Sequence, residues 1–336
     1  MVNVRLVYEQ LEAAKDHLRR GSVLDHRLAL ILSDNVAELL MYRELDYLFR
    51  YDDSRMPKWE PARTERIQAG LGPKYTIEER QGAEREFEPK LRLLVRLNRI
   101  STEDRLILGI CHRFRGAAFH RGELRHDIAE HVSKLLYVTA VRLTLKLPPQ
   151  SLTLPGNPPA SEDADFLKRF GLANAFALLD EAGQKHIVDM LLVGIEPDID
   201  LLKELLSRDL LERIEATIAG LEEVGGTKDR LKVDRNLQYT QFWREVGGAL
   251  LESGVYEPDL EAAYQKWLSE GRARYTLRKI DRWRSQAESI SRSPTAGYAL
   301  SGYWAIETRF TPLEADVAQA VFRYEEEIDA EIKRRR

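Results

Sequence analysis

Residues 24–50 of the chain read LDHRLALILSDNVAELLMYRELDYLFR. Apolar side chains recur in this stretch at steps of mostly three or four residues, at Leu24, Leu28, Ile31, Leu32, Val36, Leu39, Leu40 and Tyr47. Such spacing places them on one wide face of an α-helix. Because an apolar face of this width must pack against other helices, the stretch predicts a helical bundle.

Most of the remaining chain also has helical periodicity, and several helix starts are marked by capping residues. A side-chain oxygen at the start of a helix can accept a hydrogen bond from the amides of the first turn. Starts of this kind are predicted at Thr76 with Glu79, at Ser101 with Asp104, and at Thr311 with Pro312. Strand patterns are thin by comparison, so we predict an all-α fold class.

The segment 147–162 is rich in proline, and proline is excluded from helix interiors and central strands. We therefore predict a linker there. It separates a helical bundle at residues 1–146 from a second helical domain at residues 163–336.

Composition restricts the class of protein. Apolar runs are far shorter than the roughly 20 residues of a membrane-spanning helix, and residues 1–16 contain acids but no apolar stretch of signal-peptide length. Since the chain has 1 cysteine, it cannot form an internal disulfide. We expect a cytoplasmic protein without a membrane partner. The net charge is −4, although residues 1–150 are net basic.

The stretch 112–122, HRFRGAAFHRG, brings arginines and histidines together around a small-residue segment. A histidine can exchange a proton near neutral pH, and an arginine can stabilise the negative charge of a phosphoryl transition state. These two groups suffice for RNA cleavage without a metal. The bare spacing is not distinctive, because it recurs in Arg20 with His26 and in Arg121 with His126.

Within roughly residues 1–146, three segments stand out: the helix at 25–50, the later helix STEDRLILGICHRFR at 101–115 and the turn FRGAAFHRG at 114–122. Together they resemble the HEPN superfamily. Its nucleases carry an Arg, four to six intervening residues and a His at the end of a helix within a helical bundle. The resemblance implies a HEPN-like bundle with Arg115 and His120 as the catalytic pair. It also implies a homodimer in which both Arg/His sets line one cleft.

The backbone at Gly116 decides whether these two side chains can converge. On an unbroken helix a five-residue step leaves two side chains about 140° apart. A break at Gly116 could fold His120 back toward Arg115, whereas the alternative is a helix that continues through 117–118. Arg113 could share the role of Arg115, and Arg121 could bind a neighbouring phosphate.

Two further groups of polar residues are candidates. Asn35 and Glu38 lie on one face of the helix 24–50 and could orient Arg115 or His120; the alternative places them in water at the edge of the apolar stripe. His112 is predicted to be a surface residue.

At 272–284, RARYTLRKIDRWR, an RNA-binding row is predicted for Arg274, Arg278 and Arg282, flanked by Tyr275 and Trp283. The alternative is a basic helix face that pairs with acids.

The resemblance implies a metal-independent endoribonuclease with RNA as its substrate, acting as a toxin or an antiphage abortive-infection effector, with an antitoxin or regulatory protein as a further partner. The second domain would then hold RNA, regulate the site or bind a partner. No metal or other cofactor is expected, because the chain has no HExxH motif and no glycine-rich phosphate loop. The alternative is a non-catalytic binding or scaffold protein that uses the bundle for dimerisation. Gly116 favours this alternative, since the family often has a polar residue directly after the Arg.

Overall fold

The computed structural model describes residues 4–121, 126–148, 161–174, 180–253 and 257–335. Over these ranges the chain forms helices and no β-strand, which confirms the predicted all-α class. None of the described helices is both long and apolar enough to cross a membrane. The chain divides into two compact units, Met1–Leu202 with Thr295–Gly297 and Lys203–Pro294 with Tyr298–Arg336.

The first unit is built around two long helices. Its helices are α1 (Val4–Arg20), α2 (Val23–Ser54), α3 (Glu60–Gln68), α4 (Ile77–Arg85), α5 (Phe87–Arg96), α6 (Thr102–Arg121), α7 (His126–Lys146), α8 (Ser161–Arg169), α9 (Glu181–Leu192) and the first residues of α10 (Ile199–Gly225). Helix α2 packs against α1, α4, α5, α6 and α7. Helix α7 is buried over the whole run 135–141, as expected of a helix enclosed on all sides.

Local sequence signals account for several helix ends. Helix α1 ends at Arg20 because Gly21 adopts φ 72°, a left-handed conformation that glycine reaches without strain. Thr76 and Glu79 form a reciprocal capping box at the start of α4. Ser101 accepts a hydrogen bond from the backbone of Asp104 at the start of α6. The helix starts predicted at Thr76 and Ser101 are therefore confirmed.

The start predicted at Thr311 is wrong, because α15 (Ala296–Arg335) runs through this point with Pro312 inside it. A proline in a helix interior costs about 3 kcal/mol, since it lacks a donor and its ring crowds the preceding turn. Phe310, Leu313 and Val317 are all buried on either side of it. The burial of these side chains along one apolar face of α15 offsets the cost of the proline.

The predicted linker at 147–162 lies largely outside the described residues. Residues 163–202, which were predicted to belong to the second domain, belong instead to the first unit; they include α9 and most of α8. The buried hydroxyl of Tyr137 on α7 donates to the carbonyl of Leu191 at 2.9 Å, and the Lys15 ammonium on α1 donates to the carbonyl of Met190 at 2.6 Å. These long-range bonds hold α9 against the first bundle.

The second unit contains the rest of α10 together with α11 (Arg230–Phe242), a π-helical segment (Trp243–Gly247), α12 (Gly248–Glu252), α13 (Glu257–Ser269), α14 (Leu277–Ile290) and most of α15. A polar network joins α10 to α15. Arg213 donates to Glu314 at 2.8 Å and to Glu307 at 2.5 Å, and Tyr303 donates to Asp209 at 2.8 Å. Buried charges are stable only when paired in this way.

The Tyr137→Phe variant tests the attachment of α9. It removes a buried hydroxyl and leaves the Leu191 carbonyl without that donor, so the free energy of unfolding should fall by about 1–2 kcal/mol. Urea unfolding followed by circular dichroism measures the change. Tyr42→Phe is the matched control, because Tyr42 is 48% exposed. Equal losses in the two variants would contradict the assignment of α9 to the first unit.

Candidate active site

The carboxylate of Asp34 is fully buried within the first unit. It lies in the apolar row of α2, four residues after Leu30 and three before Ala37, both of which are buried. A charged group in such a place requires donors. Arg115 Nη1 donates to Asp34 Oδ2 at 2.6 Å, and His112 Nδ1 lies 3.1 Å and 3.0 Å from Oδ1 and Oδ2.

Helix α6 supplies both partners because His112 and Arg115 are three residues apart and therefore share one face of the helix. The same helix approaches α5 closely at Gly109. A Cβ added to Gly109 would lie 3.4 Å from Glu88 Oε2 and 3.4 Å from Leu91 Cδ1. Because Gly109 has no side chain, α5 can lie near the face of α6 that carries His112 and Arg115.

The imidazole ring of His112 is fixed on two sides. It stacks on Phe87 of α5 with a centroid distance of 3.9 Å and an interplanar angle of 7°, while Asp34 accepts from its Nδ1 atom. That hydrogen bond favours the tautomer in which Nε2 keeps its lone pair. The side chains of His112 and Arg115 are 27% and 32% exposed, so both are accessible from solvent.

The residues predicted to orient the site have different partners. Asn35 Oδ1 lies 3.5 Å from Arg115 Nη1, at the limit of a hydrogen bond. Glu38 instead accepts from the buried ammonium of Lys90 on α5 at 2.8 Å. Asp34, which sequence reasoning missed, is the main partner of Arg115. Its signal was a carboxylate placed directly in the apolar row of α2.

Helix α6 continues through Gly116 to Arg121, so the break expected at Gly116 is absent and the alternative of a continuing helix holds. Positions 115 and 120 are consequently about 140° apart around one helix axis. The side chains of His120 and Arg121 lie outside the described residues, and their roles stay predictions. Arg113 is exposed and has no ion-pair partner in the described part of the chain.

Cys111 is the neighbour of His112 but is not a candidate nucleophile. Its thiol is buried, and burial together with the charge of Asp34 raises its pKa well above the ordinary value. A thiol reacts as the thiolate, which this environment disfavours. Of these two neighbours, only the imidazole of His112 is a candidate for acid–base chemistry.

The predicted RNA-binding row at 272–284 is not a single helical row. Helix α14 begins at Leu277 with Thr276 as its N-cap, so Arg274 precedes the helix, while Arg278 and Arg282 are exposed on it. Trp283 is 2% exposed.

The buried ring of Trp283 packs against Tyr275 at 5.8 Å and Phe310 at 5.9 Å between ring centroids. The expectation that Trp283 flanks a base-stacking surface is therefore wrong, because this tryptophan belongs to the core of the second unit. The exposed arginines of α14 keep their charge available to solvent.

Among the described residues, no group of three or more His, Cys, Asp or Glu side chains is placed to hold a metal ion. Comparison with known proteins finds no matching family model, no matching curated protein and no matching solved structure. The chemistry of the Asp34 site is thus the main guide to function.

A double-mutant cycle tests the pairing of Asp34 with Arg115. Arg115→Gln should lower the free energy of unfolding by about 2 kcal/mol, because it removes one of the two described partners of a buried carboxylate. Combining it with Asp34→Asn should cost less than the sum of the single changes, by about 1–3 kcal/mol. The exposed Arg113→Gln variant is the control. Additive effects of Asp34→Asn and Arg115→Gln would refute the pairing.

Proposed function

We propose that the chain is a metal-independent endoribonuclease of the HEPN type. The observation that carries the proposal is the ion pair of Arg115 with the buried Asp34, which holds an accessible guanidinium in one orientation. Only Nη1 is used in this bond, and within the described residues no acceptor reaches Nε or Nη2 of Arg115. The remaining donors suit the non-bridging oxygens of a phosphodiester.

The proposed reaction begins with attack of a ribose 2′-hydroxyl on the adjacent phosphorus. A 2′-oxygen–phosphorus bond forms while the bond from phosphorus to the 5′-oxygen breaks, giving a 2′,3′-cyclic phosphate and a free 5′-hydroxyl. Arg115 stabilises the added negative charge in the transition state. His120 is the acid–base group that moves a proton in this step. Arg113 and Arg121 are proposed to contact neighbouring phosphates.

The proposed enzyme is a homodimer. Because α6 is unbroken from Thr102 to Arg121, positions 115 and 120 of one chain are turned away from each other. An Arg/His pair can instead be assembled between two chains that meet along this helix. Arg115 of one protomer then acts with His120 of its partner.

The proposed biological role is that of a cytosolic toxin or antiphage abortive-infection effector controlled by an antitoxin or another regulatory protein. The second candidate is a non-catalytic binding protein that uses the first unit for dimerisation. It is favoured by one observation: Asp34 already neutralises the charge of Arg115. The two candidates differ in whether the purified chain cleaves RNA.

Purified protein is expected to cleave RNA in the presence of EDTA and to leave 2′,3′-cyclic phosphate ends. Arg115→Ala and His120→Ala should each lower the rate about 100-fold or more, because they remove transition-state stabilisation and proton transfer. Arg92→Ala, at an exposed position on α5, is the control. The same variants should relieve any toxicity on expression. Intact RNA after incubation with wild type, with equally harmless expression of all forms, would leave the binding protein as the better candidate.

Mixing the two inactive variants tests the shared site. If Arg115 and His120 act across the dimer, each mixed dimer of an Arg115→Ala protomer with a His120→Ala protomer regains one of its two sites. Random exchange makes about half of the dimers mixed, so about a quarter of the wild-type activity should return. Sedimentation before and after mixing shows whether exchange has occurred. Mixed dimers without recovered activity, or a fully active monomer, would eliminate the two-chain site.

A further inference from the structure

His112 has the geometry of an acid–base group, although its spacing to Arg115 does not match the family pattern. Its Nδ1 is held by a fully buried carboxylate, and its ring lies flat against Phe87. No hydrogen bond from the described residues reaches Nε2. Nε2 is therefore the open nitrogen of a ring that is held in one orientation, and this ring is accessible to solvent.

The position of His112 relative to Arg115 is set by their common partner. Both side chains bond to Oδ2 of Asp34, Arg115 at 2.6 Å and His112 at 3.0 Å. A phosphate bound by the free edge of the Arg115 guanidinium would therefore lie on the same face of α6 as the imidazole of the same protomer. Position 120 of the same protomer lies about 140° away around the helix axis, on a different face of α6.

We infer that His112 is a second catalytic residue, the base that takes the proton of the attacking 2′-hydroxyl, with Asp34 as its positioning residue. This inference rests on the proposed function. The 2′-hydroxyl proton passes to His112 Nε2 as the 2′-oxygen binds phosphorus. The bond to the 5′-oxygen breaks, and that oxygen takes a proton from His120. Both histidines return to their starting states by proton exchange with water.

An oligoribonucleotide that spans a cleavage site of the wild-type protein separates the two histidine roles. It is prepared in two forms, one natural and one with sulfur in place of the bridging 5′-oxygen. A thiolate leaves without prior protonation because a thiol has a far lower pKa than an alcohol. The sulfur form therefore no longer needs the acid, but it still needs the base.

The variant His112→Asn keeps an amide donor near the position of Nδ1 and removes Nε2. It should lower single-turnover cleavage about 100-fold or more on both substrates, whereas His120→Ala should be slow on the natural substrate and recover on the sulfur form. His112→Gln is a second variant in case the first unfolds, as judged by its urea midpoint. His186→Gln is the matched control, because its amide can replace the bond from His186 Nε2 to the Phe170 carbonyl.

Each outcome decides the inference. Loss of cleavage on both substrates by the folded His112 variants supports His112 as the base. Cleavage within about threefold of wild type, well short of the loss expected for a catalytic base, or recovery on the sulfur substrate, overturns that role while leaving the nuclease itself intact. If wild type cleaves neither substrate, the proposed function fails and this inference fails with it.

Discussion

The burial of the Asp34 carboxylate is the constraint on which the arrangement of the first unit's site depends. A charge without solvent contact is tolerated only where other groups donate to it. Both described donors, His112 and Arg115, come from α6. This bond pattern fixes the rotation of α6 against α2, since any other rotation would leave the carboxylate unpaired. It also determines which side chains of α6 remain accessible beside Arg115.

Helical periodicity was sufficient to predict the fold class, because amphipathic spacing and capping residues act over a few neighbouring residues. The capping at Thr76 and Ser101 is of this local kind. Local patterns could not predict where α9 packs, because its position depends on a long-range bond from Tyr137 to the carbonyl of Leu191. Local sequence was also insufficient at Pro312. Proline favours the start of a helix, but the buried face of α15 keeps this helix continuous through it.

The candidate site was predicted only in part for a related reason. Arg115 could be selected from its residue type and context, but its anchor, Asp34, is 81 residues away in the sequence. The prediction of His112 as a surface residue missed the bond from its ring to the buried Asp34, which is 78 residues away in the sequence. Trp283 illustrates the opposite error. Its neighbours are basic, yet its own ring is buried.

The continuity of α6 links the chemistry of the proposed site to its assembly. A helix that broke at Gly116 could have brought Arg115 and His120 together within one chain. The unbroken helix instead groups Arg115 with His112 on one face and turns position 120 to another. In the proposed reaction, one chain offers a guanidinium and a base to the phosphate, and a second chain supplies the acid for the departing oxygen. The proposal thus makes RNA cleavage depend on dimerisation, because the acid and the base belong to different chains.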